Sequence, residues 1–478
     1  MATKTFHLSF QDQNTVRVYT SVLLIFPFPD STKTDSAIDA LSGGLQATLT
    51  DHPWLAGTLS LAVGESGKLC LKYPVEMSDM QMSGIFASKR IPRSEGFPYT
   101  YATLKEQGMP PSVFKGELFR PNDFDSFAGI APNGEGLVDF EKSNAPAMRV
   151  QAYFIPGGLV LGTYIHHSLA DCSGVTQFWK HYAHNISRQV GVGTPYQSKL
   201  RVGLDACVPT LTPGQLLLSE AYCDGKYEYP RTLEENSLCS QKLFVISAAR
   251  IRAFREELKP LFPDHSPPTI CNILAALLWV HVTRARATRL GDCAHKKTNL
   301  GIAIDLRKRL DPRLGDEYMG NLAVFAKGTL KIADVTAEER VTVKTILAAV
   351  KRIKDTISRV DNDWAKRQLG FFKSIDPIRD TECALGFRFG LDMYITSWMN
   401  FGADIEWNIP GTTLAIPEFI RRTYNPSDGG MMIWPRKRIL VDGVEAPYEV
   451  MVRLAFKDMQ TLLHEEGGLS HWAERIID

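Results

Sequence analysis

A chain of 478 residues exceeds what one hydrophobic core ordinarily fills, so two domains are expected. Its composition, 44% hydrophobic and 22% charged, is that of a globular protein rather than a disordered or fibrous one. With 54 basic against 53 acidic residues and a net charge of +1, the chain carries no field to draw in nucleic acid or an anionic membrane, so recognition must be local.

The N-terminus, MATKTFHLSFQDQ, lacks the apolar centre of a signal peptide. The most apolar early run, VLLIFPFP at 22–29, is far too short to span a bilayer and is broken by prolines. Residues 35–50 have the apolar spacing of a short amphipathic helix. GTLSLAV and KLCLKYPV alternate about a Gly-rich turn and predict a hairpin. The GESGK between them is not a phosphate loop: Ala62 stands where the first Gly is required and Leu69 where Ser or Thr should follow the Lys. AMRVQAYFI and LVLGTYIHH flank Pro156-Gly157-Gly158 and predict a second hairpin. Residues 174–189 then form a helix, with Ser173 as its expected cap.

From 191 to 238 periodicity is weak, and the chain is read as a crossover linker with one short helix near LLLSEAY, 216–222. A second body follows. Its expected elements are strand 241–247, helix 248–259, helix 269–287, strands at TNLGIAIDLRKR and NLAVFAKGTL, and one helix over 337–362. Strands around MYITSW, MMIWPR and YEVMVRLA and a helix from Phe456 complete it. Strands interleaved with helices in both halves mark two α/β bodies.

Eight cysteines (Cys70, Cys172, Cys207, Cys223, Cys239, Cys271, Cys293, Cys383) form no CxxC, which removes zinc knuckles and redox motifs and fits a reducing compartment, so the cytoplasm is the expected location. Asn185-Ile186-Ser187 is a glycosylation sequon, idle without secretion. No GxSxG elbow and no GxGxxG occur. His181 and His184 share a helix face, but no third ligand accompanies them, so no metal is expected.

What stands out is His166-His167-x-x-x-Asp171, where a strand ends and a helix begins. Strand side chains alternate, so one histidine faces the core and its neighbour faces outward. An imidazole is the commonest general base near neutral pH. Asp171 either orients that imidazole or braces the loop through a cation, and the residues leave both open. Cys172 is either a thiol nucleophile beside His167 or, more commonly for free cysteines, a packed small hydrophobe.

Taken together, these segments resemble the BAHD-type acyl-CoA-dependent acyltransferases, especially the fungal branch containing the trichothecene O-acetyltransferases. The family's HHxxxDG stands here as His166 to Cys172, with Cys in place of Gly; Asp171 to Gly174 reads D-x-x-G, as in related fungal sequences. HPWLAGTL (52–59), GGLVLG (157–162), LAALLWVHVTRAR (274–286), IDLRKRLDP (304–312), YMGN (318–321) and TSW (396–398) follow in family order. The family's DFGWGxP stands as Asp404-Ile405-Glu406-Trp407-Asn408-Ile409-Pro410, with both glycines replaced.

The resemblance implies two chloramphenicol-acetyltransferase-like α/β domains with a solvent channel between them. They would comprise residues 1–190, with 405–435 crossing back, and residues 239–478. It implies His167 as general base for attack of a hydroxyl, less readily an amine, on an acyl-CoA thioester, and no permanently bound cofactor. Asp171 would be structural, with Arg307 as ion-pair partner. Thr396, Ser397 and Trp398 become candidates for the oxyanion and substrate; Arg307, Asp404 and Trp407 become candidates for the cofactor. A small secondary metabolite would be the acceptor and a monomer the working unit. A base-catalysed isomerase or cyclase on the same scaffold is the alternative, motivated by the altered 404–408 segment and its bearing on coenzyme A; a non-catalytic binding protein is the third possibility.

Overall fold

A computed structural model describes residues 2–478, apart from 66, 95, 132–135, 190–203, 205–207, 209–218, 263–265, 376–377, 379–381, 439 and 441–442. Strand β1 (Tyr19–Pro27) is followed by helix α1 (Thr34–Asp51), strand β2 (Phe86–Arg90), the hairpin β3 (Met148–Ile155) and β4 (Gly158–His166), and helix α2 (Cys172–Gln189). Between α1 and β2, Thr58–Leu61 pairs antiparallel with Leu69–Pro74 as expected. Helices α1 and α2 approach closely at Gly44, where a Cβ would meet the Ile186 backbone nitrogen at 2.9 Å. Asn185 faces this contact, buried, with Nδ2 3.0 Å from Thr48 Oγ1, which leaves the sequon inaccessible to a glycan.

The second half contributes β5 (Cys239–Ile246), the long helix α3 (Ile270–Leu290), β6 (Lys297–Asp305), β7 (Ala323–Lys331), α4 (Val343–Ser358), α5 (Asn362–Lys373) and β8 (Met393–Ser397). It continues with β9 (Phe419–Arg421), β10 (Gly430–Ile433), β11 (Tyr448–Ala455) and β12 (Ala473–Ile477). Seven strands form one mixed sheet, β7-β6-β8-β10-β11-β5-β12, and five form another, β9-β1-β4-β3-β2. Helix α3 is apolar nearly all round because it is enclosed nearly all round. Its one buried arginine, Arg286, donates to the Asp392 carbonyl and to Asp428.

Three expectations need correction. The helix expected over 337–362 is shorter, Val343–Ser358, and a further helix, α5, begins at Asn362, where the Asp361 carboxylate accepts from Trp364 N–H at 2.7 Å as its cap. The segment expected to cross back near 405–435 divides: β9 extends the five-stranded sheet against β1, while β10 lies in the seven-stranded sheet. Of the short helix expected near 216–222, residues 216–218 lie outside the described residues and 219–222 are not helical; Tyr222–Cys223 is a strand paired with Glu382–Cys383.

Two hydrophobic cores result. One fills the five-stranded body and takes in Trp398, Trp407, Ile420 and Trp434 from the second half of the chain. The other surrounds α3. The seam between the bodies is where β4 ends.

Candidate active site

Strands β1 and β4 pair until Tyr19 meets His166. One residue later the ladder is over: His167 N–H donates to the Val18 carbonyl at 2.7 Å and the chain turns. His166 points into the core, fully buried, with the edges of Tyr19 and Phe140 against its ring at 5.2 and 5.5 Å. Burial, and then the neighbouring imidazole, push its pKa down to about 3, so it stays neutral and structural. His167, half-buried, faces the other way.

The partner of His167 is an amide. Asn321 Nδ2 donates to the His167 carbonyl at 2.8 Å, so its Oδ1 is the atom 3.2 Å from His167 Nδ1. That network assigns the imidazole proton to Nδ1 and leaves the lone pair on Nε2. Burial draws the His167 pKa below the ordinary histidine value, while the Asp171 charge and the Asn321 contact pull back upward. A neutral, oriented imidazole with Nε2 unprotonated can take a proton from an alcohol near pH 7.

Asp171 does not touch the imidazole. Its two oxygens each receive an Arg307 N–H at 2.9 Å, and they also accept from Gly174 N–H at 3.0 Å and Leu322 N–H at 2.9 Å. Burial would raise its pKa, yet Arg307 and these donors outweigh it and hold the carboxyl below its usual range. Arg307 in turn donates to the Tyr318 and Gly320 carbonyls at 2.9 and 2.7 Å. One buried pair thus ties the start of α2 to the loop that carries Asn321. Asp171, rather than the expected Ser173, caps α2; the Ser173 hydroxyl donates to Asp305 at 2.7 Å instead. Gly174 is forced by the same contact, since a Cβ there would lie 2.1 Å from the Met319 carbonyl oxygen. Cys172 has its thiol pushed well above the ordinary value, chiefly by burial, so it is no thiolate.

The remaining candidates separate. Arg307 and Trp407, expected at the cofactor, are enclosed by protein. Arg307 is 1% exposed with its guanidinium committed as above; Trp407 is 0% exposed, packed edge-on against Tyr182 and Phe26. Asp404 is exposed and accepts from the Arg438 backbone N–H at 3.1 Å. In the altered segment, Asn408 has φ = +50°, the left-handed region that Asn tolerates better than other side chains, so its exchange for Gly preserves the backbone path. Glu406 is exposed. Thr396 Oγ1 is buried with no hydrogen-bond partner among the described residues, whereas Ser397 bonds the Cys271 thiol. Trp398 packs against Trp434 and lies under the Arg422 guanidinium at 5.6 Å.

Sequence reasoning did not assign roles to Asn321, although YMGN was noted, or to Arg422, whose charge acts on both His167 and Cys172. Among the described residues no cluster of three or more His, Cys, Asp or Glu could hold a metal, and no helix is long and apolar enough to cross a membrane.

A two-body α/β fold with an oriented histidine at the seam defines an acyltransferase of the acyl-CoA-dependent type. Residues 116–466 match the model of the Transferase family, and residues 18–184 match that of the trichothecene 3-O-acetyltransferase-like N-terminal domain. The chain belongs to this BAHD-type Transferase family. It is 22% identical to the trichothecene 8-O-acetyltransferase of Fusarium sporotrichioides, over 99% of this chain and 98% of that protein. It is 23% identical to the eremophilane O-acetyltransferase prx11 of Penicillium rubens, over 81% and 84%. The crystal structure of F. graminearum TRI101 complexed with coenzyme A and T-2 mycotoxin superposes with a TM-score of 0.78 at 18% identity, covering 98% of this chain and 99% of that one. Vinorine synthase superposes at 0.63 with 16% identity, covering 98% and 95%.

Proposed function

We propose that the protein transfers an acyl group from an acyl-CoA to a hydroxyl of a small secondary metabolite, by direct attack within a ternary complex. The observation that carries this is the Nδ1–H contact of His167 with Asn321, which leaves Nε2 free to act. In this reading Nε2 removes the alcohol proton as its oxygen attacks the thioester carbonyl. The tetrahedral intermediate then collapses, the C–S bond breaks, and the imidazolium returns the proton to the departing thiolate. The Thr396 hydroxyl, buried without a partner, supports a role as donor to the transient oxyanion. Asp171 and Arg307 hold the loop geometry and take no part in proton transfer. Holding both reactants in line supplies a large share of the rate by itself.

The relatives' names, and the T-2 toxin and deoxynivalenol of the TRI101 complexes, favour a hydroxylated terpenoid as acceptor and acetyl as the transferred group. The test is a screen of acetyl-, malonyl- and longer acyl-CoAs against hydroxylated sesquiterpenoids, reading free thiol and acylated product by mass spectrometry. Thiol release matched by an acylated alcohol is the expected result. Product isomers of an unacylated substrate, with no thiol released, would instead favour base-catalysed rearrangement and overturn the proposal.

A further inference from the structure

We infer that Asp12, far from His167 in sequence, is a positioning residue that fixes the proton-transfer tautomer of His167 through Asn321. This rests on the acyl-transfer reading for its consequence, though the geometry stands apart from it. Asp12 lies in a short helical turn, Phe10–Gln13, and is fully buried. Its Oδ2 closes a local capping box, accepting from Ser9 N–H at 2.9 Å and the Ser9 hydroxyl at 2.7 Å. A capping box uses one oxygen. The other, Oδ1, accepts from both the backbone N–H and the side-chain Nδ2 of Asn321, each at 2.9 Å, across 309 residues of sequence.

That second pair decides which way the Asn321 amide faces. A carboxylate oxygen can only accept, and the Asn321 backbone N–H already donates to Oδ1, so it is Nδ2 rather than the amide oxygen that must point there; Nδ2 also meets the His167 carbonyl at 2.8 Å. Turning the amide over would set its oxygen against two acceptors, Asp12 Oδ1 and the His167 carbonyl, and present Nδ2 to His167 Nδ1. The imidazole would then have to accept at Nδ1 and carry its proton on Nε2, where the base is needed. The carboxylate therefore acts two bonds away: Asp12 orients Asn321, and Asn321 orients the proton. The Asn14 side chain secures the same segment by donating to the Phe372 carbonyl at 3.2 Å, so the turn is anchored on the half of the chain that carries Asn321.

Asp12→Asn keeps the shape but leaves one oxygen for donors that now use two. Thiol release from acetyl-CoA in water, and acyl transfer to any alcohol found above, should fall 10- to 100-fold in kcat with KM for acetyl-CoA within about twofold. The acid limb of the pH–rate profile should move to lower pH, because the Asn321 carbonyl no longer supports the imidazolium. A purely structural loss would scale activity without moving that limb. Ser9→Ala, which breaks the capping box and spares Oδ1, should leave the limb in place; if it shifts the limb equally, the role is only structural. In an Asn321→Ala background Asp12→Asn should cost no more than about twofold, and an undiminished effect there would also overturn the inference.

A readout independent of turnover is the ¹⁵N spectrum of the histidine-labelled protein. Wild type should show His167 protonated at Nδ1 and unprotonated at Nε2, and Asp12→Asn a mixture. A wild-type Nε2–H signal would end the inference even in an active enzyme. The Nδ1–H signal without any acyl transfer would end the acyl-transfer proposal alone. Should Asp12→Asn not fold, Asp12→Glu, which keeps the acceptor but displaces it, carries the same spectral test.

Discussion

Replacing His167 by Ala removes the group able to accept the alcohol proton and little packing, since the residue is only half-buried. Turnover of the folded variant should drop by about 10²–10⁴, the usual worth of a general base. Because burial holds the His167 pKa below the ordinary 6.5, the acid limb of kcat/KM in the wild type should have its midpoint below that value. The base is unprotonated above the midpoint and is lost as pH falls through it. A His167→Ala protein with a native circular dichroism spectrum and near-wild-type turnover would refute this. At the same scale, the neighbour His166 teaches the opposite lesson: of two adjacent histidines, the last residue of the strand is enclosed by aromatic rings and the next, where the chain turns, lies at the seam.

At the scale of elements, the join between α2 and the Tyr318–Leu322 loop depends on Asp171 and Arg307. Asp171→Asn keeps the shape but leaves a buried guanidinium facing a neutral amide. Asp305, 3.0 Å from Arg307, retains part of the compensation. A loss of about 3 kcal/mol, the low end for a broken buried pair, is expected, with activity falling alongside stability. Unchanged melting with collapsed turnover would move Asp171 into the chemistry. The turn at Asn408 offers a second test. Both Asn408→Ala and Asn408→Gly lose the 3.1 Å hydrogen bond from Asn408 Nδ2 to Ser187 Oγ, but only Ala must also hold φ = +50°, so Asn408→Ala should be the less stable of the two by about 1 kcal/mol. Chemical denaturation of the two variants distinguishes them, and equal stabilities would show that the left-handed turn is not what the side chain supplies.

For the whole molecule, acid should be destabilising in a defined window. His52 Nε2 and His181 Nδ1 lie 2.6 Å apart where α1 ends against α2, and burial lowers both pKa values to about 4. The unfolded histidines titrate near 6.5, so between 6.5 and 4 the unfolded chain takes up protons that the folded one refuses. Stability is full above that window and falls as the pH drops through it. His52→Asn should reduce this slope, to which the buried His166 also contributes, and an unchanged slope would remove the pair as a cause. Binding acts in the other direction. Acetyl-CoA at a hundredfold excess over Kd should stabilise the folded protein by about 2.7 kcal/mol, a measurable rise in melting temperature. With Asn408 keeping the backbone path and Glu406 exposed, the altered 404–408 segment gives no reason for that rise to fail.

The sequence alone determined what is local. Period and turn residues located the two hairpins, α1, α2 and α3, and the strand-end motif singled out His167, because alternation and a Gly-rich turn act over a few residues. It did not find α5, which starts at Asp361, where an ordinary aspartate becomes a cap only because the Trp364 N–H folds back to it. Nor could it divide β9, which adds to the edge of the five-stranded sheet, from β10, which lies between β8 and β11 within the seven-stranded one. Arg307 and Trp407 read as candidate ligands from their chemistry. Tertiary structure enclosed them: a bidentate carboxylate satisfies Arg307, and Trp407 packs into an aromatic core. The largest gap is at the site itself: Asp12, His167 and Asn321 carry no common spacing, and only folding brings their hydrogen bonds into one chain.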